Sequence, residues 1–135
     1  VSTLFTLANQ ISGEKFSPYD RISEGQIHIY PDKVVIDVKD ATWSTYADTN
    51  SMDPLLDKGA NGIEIIPKSE EDIHIGDIAA YESESVDGLI IHRIVDIRHD
   101  VYGTYYIFKG DNNKFYDQER VRFSQIRYIL LGVIY

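Results

Sequence analysis

Cysteine is absent from this chain, which removes disulfides, cysteine-ligated zinc and thiol catalysis together. Histidine is sparse. His28, His74, His92 and His99 stand apart, with no HExxH pair or similarly tight ligand spacing, so neither a metal nor another cofactor is expected. Positive charge is also short: 13 lysines and arginines face 22 aspartates and glutamates, a net charge of −9. That balance repels phosphate backbones, and no basic run offsets it locally, so a nucleic-acid partner is not expected. No apolar run approaches the roughly 18 residues of a membrane-spanning helix, and the first residues lack the basic start of a secretory signal.

What is present is the composition of one globular domain. In 135 residues, 43% are hydrophobic and 26% charged, enough for a sizeable core without a second domain. Residues 1–25 read as a lead-in, with Leu4, Leu7, Ala8 and Ile11 at helical spacing over 1–12. Gly13 and the polar run through Ser17-Pro18-Tyr19-Asp20 break that pattern. From residue 26 to 135 the pattern becomes β. Strand-like runs cover 26–30, 33–38, 41–47, 62–67, 76–81, 89–97, 104–108 and 128–135. Pro31-Asp32 and Tyr102-Gly103 supply hairpin turns between two of the pairs. The expected fold is mainly β, a single folded-over barrel or sandwich.

Three places carry groups able to do chemistry. Ser51 lies in Thr49-Asn50-Ser51-Met52-Asp53-Pro54, His92 in Leu89-Ile90-Ile91-His92-Arg93-Ile94-Val95, and a polar turn runs Lys109-Gly110-Asp111-Asn112-Asn113-Lys114-Phe115-Tyr116-Asp117. A serine hydroxyl holds its proton too tightly to attack unaided, and a neighbouring imidazole can take that proton. A carboxylate then fixes the imidazole tautomer and stabilises the cation. Each residue also has a plainer role. Ser51 caps its turn, His92 packs in a strand, and Gly-Asp-Asn-Asn simply turns the chain.

In combination the motifs resemble the type I signal peptidase family, in its archaeal and endoplasmic-reticulum-type branch. Ser-Met-Asp-Pro, Gly76-Asp77, Ile-His-Arg-Ile-Val and Lys-Gly-Asp-Asn-Asn…Asp occur in that order over residues 41–135. Bacterial relatives place a lysine base where this branch, and this chain at His92, has histidine. The resemblance implies a signal-peptidase-type β core and a serine endopeptidase cutting after small residues, as in Ala-x-Ala signal sites. It implies Ser51 as nucleophile, His92 as general base and Asp117 as the acidic partner, with Asp111 as the alternative acid. The Ser51 N–H and the Thr49 hydroxyl would form the oxyanion hole. The peptide would add as a strand along 41–48, where Trp43 and Tyr46 line the subsites or serve as core aromatics.

The same resemblance implies membrane association through a segment not in this chain, with an extracytoplasmic active site; a cytoplasmic location is the alternative. The partner it implies is a peptide or protein substrate. Asn50 departs from the family by standing where many relatives have glycine. Two other readings compete. One is a divergent or idle peptide-binding module on the same fold. The other is a LexA-like self-cleaving regulator, which the acidic balance and the short lead-in disfavour.

Overall fold

The computed structural model describes residues 15–135; the short helix expected over 1–12 lies outside them. Eight strands follow in chain order: β1 (Ile27–Ile29), β2 (Val34–Ile36), β3 (Thr42–Thr45), β4 (Asn61–Ile65), β5 (Ile78–Glu82), β6 (Leu89–Asp100), β7 (Gly103–Lys109) and β8 (Ile126–Ile134). The chain is mainly β, in two antiparallel sheets. β1 and β2 form a separate hairpin, and the other six strands are ordered β3-β4-β8-β5-β6-β7. The expected barrel does not close among the described residues, because β3 and β7 end the sheet with one strand neighbour each. No described helix is long and apolar enough to cross a membrane.

Burial on both faces explains the uninterrupted apolar run of β5. Ile78, Ala79, Ala80 and Tyr81 are all buried, and alternate side chains of a strand point to opposite faces. Ala79 and Tyr81 pack with Ile94, Phe108, Val121 and Ile129 on one face. Ile78 packs with Met52, Leu56 and Leu130 on the other. Register shifts interrupt pairing at Ile63/Glu64, Ala80/Tyr81 and Ile94/Asp96, and such bulges increase local twist. β6 matters most for the site. Its first four residues, Leu89 to His92, pair only with β5, since pairing to β7 begins at Arg93.

The lead-in is latched to this sheet through the Gly76-Asp77 pair. Asp77 is fully buried and receives both guanidinium arms of Arg21 at 2.8 Å. The N–H groups of Tyr19 (3.0 Å) and His74 (2.8 Å) satisfy its remaining acceptor capacity. Gly76 takes a left-handed φ of 99°, and a side chain there would meet the Ser17 carbonyl. This motif therefore fastens the chain and takes no part in the site chemistry described below.

Candidate active site

Ser51 sits at the head of the turn that follows β3. Met52 and Leu56 are buried at 2% and 3% exposure, so the turn is anchored to the core immediately after the serine. Asn50 takes a left-handed φ of 62°. Asparagine tolerates that region better than most residues because its short polar side chain bonds locally. Asparagine at this position is thus compatible with the tight turn. The polar loop after β7 braces the same backbone: the Asn112 N–H donates to the Ser51 carbonyl at 3.0 Å, and its side-chain amide donates to the Asn50 carbonyl at 3.0 Å. Gly110 has to lack a side chain, since a Cβ would lie 2.7 Å from the Ser51 carbonyl oxygen.

His92 lies on β6 opposite Ala79 of β5 and is 8% exposed. Its Nδ1 is 2.7 Å and 3.0 Å from the two carboxylate oxygens of Asp117. A carboxylate accepts, so this contact assigns the proton to Nδ1 and leaves the Nε2 lone pair as the basic one. Asp117 is held in turn. Its N–H donates to the Phe108 carbonyl at 2.8 Å, and the Tyr81 hydroxyl donates to its Oδ2 at 2.7 Å. Burial, then the Asp117 carboxylate, pushes the Tyr81 phenol well above its ordinary range. It stays a donor at all ordinary pH values.

Ser51 and His92 line one groove of about 310 Å³, together with Tyr46, Ala47, Thr49, Met52, Leu56 and the start of β6. No hydrogen bond joins the two residues; the Ser51 hydroxyl is instead 3.2 Å from that of Thr49. Catalytic contacts are commonly loose without substrate. Among the described residues the Ser51 N–H donates to no acceptor, so it remains available to a developing oxyanion.

The remaining sequence candidates divide cleanly. Tyr46 lines the groove and donates to the buried carboxylate of Glu64 at 3.2 Å, while Ser44 donates to the other oxygen at 3.0 Å. Burial, followed by the Glu64 charge, pushes the Tyr46 phenol far above its ordinary range. Trp43 lies outside the groove: it is 67% exposed, and its indole N–H donates to Asn61 at 3.0 Å. Asp111 does not approach His92. It takes a two-pronged contact from Arg93, with Nε and Nη2 each at 2.8 Å, and so ties the loop to β6.

Sequence reasoning passed over Tyr81 and Asn112. A signal existed for the first, because a tyrosine ending a buried strand needs a partner for its hydroxyl. Compared with known proteins, the chain matches no family model, no curated protein and no solved structure.

Proposed function

We propose that this chain is a serine endopeptidase of the type I signal peptidase kind, with a core of that family's type, cutting peptides after small residues. The observation that carries the reading is the hydrogen-bonded set Tyr81–Asp117–His92, whose His92 lines the same groove as Ser51 and Thr49. Four sequence motifs in family order add to it. The groove, of about 310 Å³, is lined by Ala47, Leu56, Ile90 and Ile91 among others, which suits small side chains beside the scissile bond. Beside it, the first residues of β6 have an edge that β7 leaves unpaired. Such an edge accepts a peptide as an added strand.

In the proposed reaction His92 Nε2 removes the Ser51 proton as Oγ attacks the scissile carbonyl. The Ser51 N–H and the Thr49 hydroxyl receive the oxyanion. Collapse breaks the C–N bond, and the imidazolium returns its proton to the leaving amine. A water then gives a proton to His92 and attacks the acyl-serine, and Ser51 recovers its proton as the acid product leaves. Asp117 holds the Nδ1 proton throughout.

The test is turnover of a peptide bearing an Ala-x-Ala site. Ser51→Ala and His92→Ala should each lower kcat by about 10⁴-fold or more. Equal turnover in the wild type and both variants sinks the proposal. A second reading, a peptide-binding module without turnover, draws on the Ser51 hydroxyl being engaged by Thr49 and not by His92. It predicts that the wild type binds the same peptide and leaves it intact.

A further inference from the structure

Further along β6, beside Arg93 to Val95, lies a second cavity, of about 460 Å³. Neighbouring residues of a strand point to opposite faces, so Arg93 reaches away from the groove that His92 lines. The cavity is walled by Lys15, Lys109 and Lys114 and by the aromatic rings of Phe16, Phe115 and Tyr116. Three features suit it to a ligand.

Its lysines make no ion pair among the described residues, although the Lys109 ammonium donates to the Gly110 carbonyl at 3.2 Å. Every arginine of the chain is in an ion pair, with Asp77, Asp111, Asp96, Asp100 or Glu82 as partner. No lysine makes an ion pair among the described residues, and three of them meet here in a molecule of net charge −9. Arg93 and Asp111, which also line the cavity, neutralise each other at 2.8 Å. Its aromatics are also exposed: Phe115 at 80%, Tyr116 at 61% and Phe16 at 56%. Its volume, finally, falls within the roughly 300–1,000 Å³ of small-molecule sites.

We propose that this cavity binds a phosphate group carried on an apolar body, the lysines taking the phosphate and the rings taking the body. The choice of phosphate over carboxylate follows from the cations available. A lone carboxylate is best held by the planar fork of an arginine, and the one arginine here is already committed to Asp111. Compact ammonium groups bind as point charges, and several of them suit a dianion. The site is independent of the proposed proteolysis, although its wall is the loop whose other members brace Ser51 and His92.

The test is titration of the protein with phenyl phosphate, inorganic phosphate, and vesicles of phosphatidylcholine with or without phosphatidic acid. Lys109→Gln/Lys114→Gln is the site variant, Lys114→Glu a second one, and Lys58→Gln the control for bulk charge. Phenyl phosphate should bind saturably and more tightly than inorganic phosphate. The site variants should weaken binding by about tenfold or more, the scale of one charge-assisted hydrogen bond, and Lys58→Gln should leave it unchanged. Rising salt should weaken it. Binding only to vesicles with phosphatidic acid, lost in the site variants, also supports the site and identifies a lipid headgroup as its source. The proposal is overturned if none of the probes binds saturably, or if the site variants bind as the wild type does. Equal weakening in Lys58→Gln overturns it too.

Discussion

At the scale of single residues, the proposed acid–base apparatus is longer than the motifs suggest. Ser51, His92 and Asp117 were legible because their neighbours form motifs, whereas Tyr81 lies in an unremarkable apolar run, and its contact with Asp117 spans 36 positions. Tyr81 touches no reacting atom in the proposed mechanism; it is a positioning residue for Asp117. Tyr81→Phe keeps the ring that packs against Phe108 and removes only the donor. It should fold, lower kcat about tenfold with little change in KM, and shift the His92 Nδ1 proton resonance. The tenfold estimate corresponds to one hydrogen bond to a charged acceptor, and an unmoved resonance would mean that Tyr81 acts by packing alone. Asn50 gives a second prediction. Its left-handed φ makes Asn50→Gly nearly neutral, within about 0.5 kcal/mol, while Asn50→Val should cost about 1–2 kcal/mol because a β-branched side chain resists that region. Denaturant midpoints measure both.

At the scale of elements, the loop after β7 carries two aspartates with separate tasks. Asp111 secures the loop to β6 through Arg93, which also donates to the Gly76 and Phe16 carbonyls at 3.0 Å. Asp117 secures only the imidazole and the Tyr81 hydroxyl at its side chain. Asp111→Asn should therefore cost stability, by roughly 1–3 kcal/mol for a largely buried charge left half-partnered. Asp117→Asn should lower kcat by about 10⁴-fold, as loss of the correct imidazole tautomer does elsewhere, with a smaller loss of stability. Urea melts alongside turnover separate the two, and the opposite pattern would exchange their roles. The strands themselves were readable from β-branched runs and turn residues. Their order was not: β8 inserts between β4 and β5, a pairing between distant segments that local pattern cannot express. Nor could barrel closure be read, since it depends on whether the two end strands meet. Alternation along β3 did hold unused information. Trp43 and Tyr46 are separated by an odd number of positions, so an extended chain sends them to opposite faces, and only Tyr46 reaches the groove.

At the scale of the whole molecule, composition pointed to a globular domain of acidic balance and strand patterning to a mainly β chain, but neither pointed to the ionisable groups on which its stability depends. Those groups bracket a plateau in pH. Asp72 is held below its ordinary range chiefly by the backbone N–H of Lys68, and Asp100 chiefly by the Arg122 guanidinium. A carboxyl depressed by folding contributes stability above its unfolded value, near 3.9, and loses it as pH falls through the folded value. Asp53, raised by desolvation and then by Asp57 and Asp48, works weakly in the opposite sense. On the alkaline side Tyr46 and Tyr81 are pushed far up, burial being the largest cause, and Tyr106 to about 12 by burial and then Glu70. A phenol raised by folding contributes fully below its unfolded value, near 10, and loses that contribution as pH rises through the folded one. Stability should thus be flat between about pH 4 and 10 with respect to these groups and fall on either side. The alkaline fall is the sharper test, because three phenols raised chiefly by burial contribute to it and phenylalanine can replace each without losing the ring. Urea midpoints measured from pH 8 to 11.5 should decline for the wild type and decline less steeply in Tyr81→Phe and Tyr106→Phe. An equally steep decline in both variants would place the alkaline sensitivity in groups other than these two phenols.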